Sequence, residues 1–284
     1  MLGLIFIIKI SLTCDVERDE SIENVLPYLL KIYQEYGIVG TWFIEHDLGQ
    51  NYTKYCGHVD EQFPKIVEQL NEVGEIGTHV HFREINGAFN ANFEFQENLI
   101  GNATDSLRNK GFEIQSFRGG DHFINNDTIR ILKDLNYIID SSIMQGFSRR
   151  INENFIIDHR IRKERININE PYFISSSNYL IPGDSHLLEI PVTNLILFRS
   201  KPTIFIPFPI PGNNKIGPVS NISYLLTKIF GLIRTDLPLV ILFHDFTFKG
   251  KRSLNYFHHF IDQCSNDDSI KFVTLKEIKK EIQS

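Results

Sequence analysis

The chain has 284 residues, a formal net charge of −6 and a hydrophobic fraction of 42%. That apolar content excludes a disordered chain. The mild acidity argues against binding a nucleic-acid polymer non-specifically, which needs a basic face. The three cysteines, Cys14, Cys56 and Cys264, are far apart and form no CxxC pair. They argue against a disulfide framework and for a reducing compartment.

The opening run MLGLIFIIKI is short, has no basic flank and shows no small-residue cleavage site before Cys14 and Asp15. It reads as a buried strand over Leu4 to Leu12 rather than a signal peptide. Ser21 to Tyr36 follows as a helix stopped by Gly37, and Ile38 to Ile44 as a second strand. Phe63, Ile66, Val67, Leu70 and Val73 have helical spacing up to Gly74, before a third strand over Glu75 to Val80. The alternation continues with a helix over Asn92 to Lys110, a strand over Glu113 to Phe117, a helix capped by Asn126 and a strand over Tyr137 to Ile139. From about Ser148 to 186 the chain is polar and irregular, an excursion from the pattern. Regular signals return at Leu187 to Ile190, in an amphipathic helix over Ile222 to Ile233, and in a strong strand over Leu239 to Phe243. A last strand, Ile270 to Val273, precedes a Lys/Glu-rich terminal helix. Repeated strand–helix units without a linker predict one α/β domain over residues 1–284 with parallel strands. No GxGxxG follows the first strand, so a barrel fits better than a doubly wound sheet.

In such barrels the chemistry sits where strands end. Five predicted strand ends deliver charged or imidazole groups: Asp15 and Glu17, His79 and His81, Arg118, Asp140, and His244 with Asp245. Asp15 and Glu17 lie two apart and share a face of an extended chain, as do His79 and His81. The two histidines with one of the two carboxylates make the N/N/O ligand set of a catalytic zinc that keeps a position open for water. Arg118, before Gly119 and Gly120, is suited to pair with a carboxylate and hold it ionised. His244 ends an apolar strand as a general acid or base, with Asp140 as the carboxylate that holds its ring. His122, close to Arg118, is a secondary candidate for substrate contact. There is no GxSxG elbow, no Walker loop and no cysteine in a catalytic setting, so metal-assisted hydrolysis leads over side-chain nucleophilic catalysis.

These strand-end residues resemble the polysaccharide deacetylases, carbohydrate esterase family 4 with the NodB-homology fold. Cys14-Asp15-Val16-Glu17 is similar to the family's first motif, Glu75 to His81 to the second and Ser116 to Gly120 to the third. Asp140-Ser141-Ser142 is similar to the fourth and Leu242-Phe243-His244-Asp245 to the fifth. Thr41-Trp42-Phe43 and Leu188 to Val192 resemble further family segments. Two departures stand out. Val16 separates acids that are usually adjacent, and Arg83 stands where the usual HxxxH has its second histidine, which leaves that place to His81.

The resemblance implies a distorted (β/α)-barrel of about seven parallel strands. It implies removal of an acyl group, usually N-acetyl, from a sugar with the help of a divalent metal, usually zinc. On this reading Glu17, His79 and His81 hold the metal, Asp15 is the base, Arg118 keeps Asp15 ionised and His244, held by Asp140, is the acid. Asp15 and Glu17 can exchange roles. The Pro171-Tyr172 segment and the Leu188 to Val192 run resemble a branch tied to O-antigen or capsule biosynthesis. The expected substrate is an N-acylated sugar, a nucleotide sugar or a lipid-linked glycan precursor in the cytoplasm, with no required membrane contact. The alternatives are hydrolysis of another non-peptide C–N bond on the same barrel and an inactive glycan-binding relative.

Overall fold

The apolar run near the start of the chain becomes the strand on which the sheet is organised. In the computed structural model, which describes residues 7–45, 62–84, 86–144, 147–153, 155–159, 170–193, 228, 237–248 and 250–284, it forms β1 (Ile8–Val16). Helices α1 (Asp19–Asn24) and α2 (Leu26–Tyr36) follow in place of one continuous helix. The break at Val25 arises because Pro27 lacks an N–H and is tolerated only in the first turn, where it opens α2. Gly37 ends α2 in the left-handed region, φ 60°.

The alternation then runs β2 (Gly40–Glu45), α3 (Gln62–Glu72), β3 (Gly74–Val80), α4 (Phe93–Arg108), β4 (Ser116–Gly119), α5 (Asn126–Asp134) and β5 (Ile139–Asp140). The cap of α5 is Asn125 rather than Asn126. Its extended backbone aims the side chain at Thr128, whose hydroxyl closes a capping box. A separate hairpin, β6 (Ser148–Asn152) and β7 (Phe155–Asp158), occupies the start of the expected excursion. The later elements are β8 (Tyr172–Phe173), β9 (Leu188–Glu189), β10 (Leu239–His244), α6 (Lys251–Ser265), β11 (Ile270–Phe272) and α7 (Leu275–Ile282). The helix expected over 222–233 and residues 1–6 lie outside the described residues, apart from Lys228.

The main sheet has the order β10-β1-β2-β3-β4-β5-β9-β8, with β11 on β1. From β10 to β9 every neighbouring pair is parallel. Beyond β9, Thr193 reaches back to β10: its N–H donates to the Val240 carbonyl at 3.0 Å and its hydroxyl accepts from the Val240 N–H at 2.8 Å. This seam curls the sheet into the expected distorted barrel.

Strand alternation divides the side chains. Leu12, Trp42, Ile76 and Phe117 pack outward under the helices. Phe43, Ile139, Leu188, Ile190 and Val240 fill the interior. Gly77 makes room for Phe43, since a Cβ there meets the ring at 2.8 Å. Beneath Phe43, Glu75 is buried and accepts from Thr41, Ser116 and the Lys276 N–H of α7. These bonds dock the terminal helix across that end of the barrel. Among the described residues, no helix is long and apolar enough to cross a membrane.

Candidate functional site

The opposite end of the barrel gathers the charged strand ends. Asp15, next to last in β1, is in register with His244 of β10, and Glu45 of β2 stands in register with His79 of β3, itself in register with Arg118 of β4. Glu75, Gly77, His79 and His81 are spaced by two, so they share the inward side of their strand.

Three ligand atoms converge there. Glu17 Oε1 lies 3.1 Å from His79 Nε2 and 3.4 Å from His81 Nε2, and the two imidazole nitrogens are 3.2 Å apart. Two tetrahedral ligands, each about 2.0–2.1 Å from a zinc ion, stand about 3.3–3.4 Å apart, so this triangle fits a divalent cation. The proton arrangement fits as well. His79 Nδ1 is 3.0 Å from the Arg118 carbonyl, to which it donates, so the neutral ring turns the Nε2 lone pair toward the triangle, while against burial Asp15 and Glu17 act to raise its pKa. Gly120 seats the other ring: a Cβ there meets the His81 imidazole at 2.4 Å.

The electrostatics call for positive charge at this point. Burial opposes ionisation of Glu17, yet His79 and His81 outweigh it and hold its carboxyl well below the usual range. Burial likewise opposes the charged form of His81, but Glu45, Glu17 and Asp121 drive its pKa up to about 9. A protonated ring here supplies the charge that a bound cation would supply.

Asp15 stands beside the triangle, buried, with its two oxygens in different settings. Oδ1 accepts from Arg118 Nη1 at 2.9 Å, and Oδ2 lies 3.7 Å from His244 Nε2. Burial works to raise its pKa, and Arg118, His79 and His244 reverse this and hold it below the ordinary carboxylate value. Arg118 is locked in place: Nε donates to the Ser141 carbonyl, Nη2 to the Ser141 hydroxyl and Nη1 also to Thr13, and its plane covers Phe43 at 4.3 Å. His244 is also 3.5 Å from Glu17 Oε1, and its side chain is 33% exposed. The structure therefore brings together Asp15, Glu17, His79, His81, Arg118 and His244.

Asp140 does not join them as expected. The Ser142 hydroxyl donates to its Oδ1 at 2.6 Å, and its other oxygen is buried with no donor among the described residues, as is Oε2 of Glu189. The reason is strand parity. Ile139 faces the interior and Ser141 meets Arg118, so Asp140 between them takes the other face, opposite Glu189 in register. Burial raises the pKa of both carboxyls, that of Glu189 well above its usual value. The carboxylates near His244 are Asp15 and Glu17 instead.

Three further residues, Asp245, Asp121 and the secondary candidate His122, frame the site. Asp245 is buried and accepts from the backbone N–H groups of Glu17 and Arg18 at 3.1 and 2.9 Å, which fixes the end of β1. Asp121 holds the left-handed region, φ 55°, an uncommon conformation for a non-glycine residue. It forms ion pairs with Arg83 at 2.7 Å and with Arg149, and lies 4.0 Å from His81 Nδ1. His122, also left-handed, donates from Nδ1 to the Ser142 carbonyl and packs on Phe147; burial and Arg118 push its pKa down to about 4, so the ring is neutral. The one signal for the pair in sequence is polar residues directly after two glycines.

All this opens into a cavity of about 470 Å³. Asp15, Glu17, His79, His81 and His244 line one side, and Met144, Phe147, Val192, Leu242 and Phe246 supply apolar walls.

No protein-family model and no curated protein matches the sequence. Solved structures do. A protein assigned as a polysaccharide deacetylase from Mycobacterium smegmatis superposes with a TM-score of 0.63 at 15% identity, covering 100% of this chain and 92% of its own. An allantoinase matches with a TM-score of 0.58 at 11% identity, over 98% and 91% of the two chains. A family 4 acetyl xylan esterase from Clostridium thermocellum, solved with a cobalt ion, matches with a TM-score of 0.51 at 14% identity, over 96% and 91%. At these identities the likeness is one of fold, and the fold is the distorted (β/α)-barrel shared by polysaccharide deacetylases and family 4 esterases.

Proposed function

We propose that this chain is a metal-dependent hydrolase that removes an N-acetyl or other acyl group from a sugar. The observation that carries the reading is the triangle of Glu17, His79 and His81 beside an Asp15 held ionised by Arg118, at the mouth of a cavity. The fold neighbours assigned to polysaccharide and acetyl xylan deacylation support it, and the cobalt in one of them supports a divalent metal. Glu17, His79 and His81 are the residues that would hold the ion, zinc by their chemistry. A bound divalent ion supplies Lewis acidity to an acyl carbonyl and acidifies water.

The chain's own residues then divide the proton work. Asp15 presents Oδ2 to the cavity while Arg118 fixes Oδ1, so it is a carboxylate ready to take a proton from the attacking water. His244, half open to the cavity and 3.7 Å from Asp15, returns a proton to the departing amine. Arg118 and Thr13 hold the base in one orientation, and Asp245 holds the backbone of Glu17. The apolar walls exclude water from the acyl group and strengthen these interactions. The biological setting that fits the sequence is surface-polysaccharide biosynthesis in the cytoplasm.

The test is acetate release from a panel of N-acetyl sugars, before and after chelation and with zinc restored. Loss on chelation and recovery on restoration is the expected result; full activity in a metal-free sample overturns the metal role. The likeness to an allantoinase favours a second reading, hydrolysis of another non-peptide C–N bond. Including such compounds in the panel decides between the two.

A further inference from the structure

Charge around the cavity is uneven. Asp15 is matched by Arg118, and Glu17 is committed to the two imidazoles. Asp121, by contrast, meets two guanidinium groups, those of Arg83 and Arg149. One carboxylate is thus shared between two guanidinium groups, in a protein whose net charge is −6.

The two arginines are not equivalent. Arg83 is tied at both ends of its fork, by Nη2 to Asp121 and by Nη1 to the Gly87 carbonyl at 3.2 Å, and its side chain is 21% exposed. Arg149 sits on the β6–β7 hairpin, lines the cavity and is 53% exposed. Its contact among the described residues is Nη1 to Asp121. A guanidinium carries five N–H donors in a fixed fork, so most of those on this half-exposed, cavity-lining Arg149 make no hydrogen bond among the described residues. A planar fork of this kind matches a carboxylate or phosphate in two-point contact. Asp121 anchors the Arg149 head through one oxygen and lies 4.0 Å from His81 Nδ1 through the other, so a single carboxylate links the fork to a ring of the metal triangle.

We infer that Arg149 forms an anion subsite and that the substrate is an acylated amino sugar with an acidic group, carboxylate or phosphate, beside the acyl-bearing ring. This rests on the deacylase reading and narrows its substrate class.

The experiment uses the zinc-loaded full chain and three ligands: neutral di-N-acetylchitobiose, 2-acetamido-2-deoxyglucuronate and UDP-N-acetylglucosamine. Binding by calorimetry and kcat/KM for acetate release are measured for wild type, R149Q and R149K. An acidic ligand is expected to bind about tenfold or more tightly than the neutral one, the scale of hydrogen bonds to charged groups. Preference for the uronate assigns a carboxylate, and preference for the nucleotide sugar a phosphate. The preference should fall with added salt, vanish in R149Q through KM rather than kcat, and be partly rescued in R149K. Equal binding of neutral and acidic ligands by wild type, or an unchanged preference in R149Q, overturns the subsite. Should R149Q fail to fold, R149K and the salt series give the same answer. If no ligand is deacylated but the binding preference holds and depends on Arg149, the deacylase reading fails and the subsite stands.

Discussion

The two ends of the barrel are built on the same strands and handle buried charge in opposite ways. β3 carries Glu75 at its start and His79 at its end, and β4 carries Ser116 and Arg118 in the same order. At the α7 end, Glu75 is surrounded by donors: Thr41, Ser116 and the Lys276 N–H. Burial raises its pKa, with those donors pulling the other way. At the cavity end, Glu17 Oε1 faces the ring nitrogens of three histidines, two of which also face each other. A buried carboxyl among donors is satisfied as it stands. A cluster of lone pairs is satisfied by a cation or by extra protons, and that is the difference between a strut and a site.

The contrast can be broken at the cavity end with large effects. D15N should lower turnover by about 10²–10⁴-fold while zinc content, read by elemental analysis, stays at the wild-type level. Loss of zinc in D15N would make Asp15 a ligand and return Glu17 to the role of base. R118M removes the guanidinium paired with the buried Asp15 and leaves only the imidazoles near it, and breaking a buried pair from one side costs about 3–5 kcal/mol, measurable by urea unfolding. An unchanged midpoint would show that the pair is not part of the fold's stability. G120A should push the His81 ring aside, because its Cβ has no room, and weaken zinc by about 10–100-fold in a chelator competition.

The smallest effect belongs to the other end. The Glu75 carboxyl is raised above its ordinary value of 4.5 in the folded chain. The folded state therefore keeps a proton that the unfolded chain has released. Its contribution to stability is fully present below pH about 4.5 and is lost as the pH rises through the folded value. E75Q cannot titrate, so it should flatten this part of the stability-against-pH curve and leave acetate release and zinc content alone. A change in zinc content would show that the two ends are coupled.

Much of this contrast was legible in the sequence, for definable reasons. Period-two spacing put Asp15 with Glu17 and His79 with His81 on shared faces, and the apolar run before His244 placed it at a strand end. Arg118 was findable because the glycines behind it mark a tight turn. Asp140 was misjudged because a two-residue strand gives no pattern from which to read its parity. The roles of Gly120, Asp121 and Asp245 depend on approaches to His81, Arg149 and Glu17, each many residues away in sequence. Among the described residues the fold followed the same rule: strands and helices with clear periodicity were found, while the split at Val25 and the Asn125 cap turned on single residues.

Phe43 lies between the two ends, fully buried, with Arg118 on its face and the Gly77 backbone against its edge. Its ring acts as a bulkhead. If E75Q leaves zinc content alone, the compartment around Glu75 and α7 can be reworked for heat tolerance without retuning the chemistry above it. Selection can likewise alter one compartment at a time. A smaller residue at position 43 would open the two to each other and end that independence.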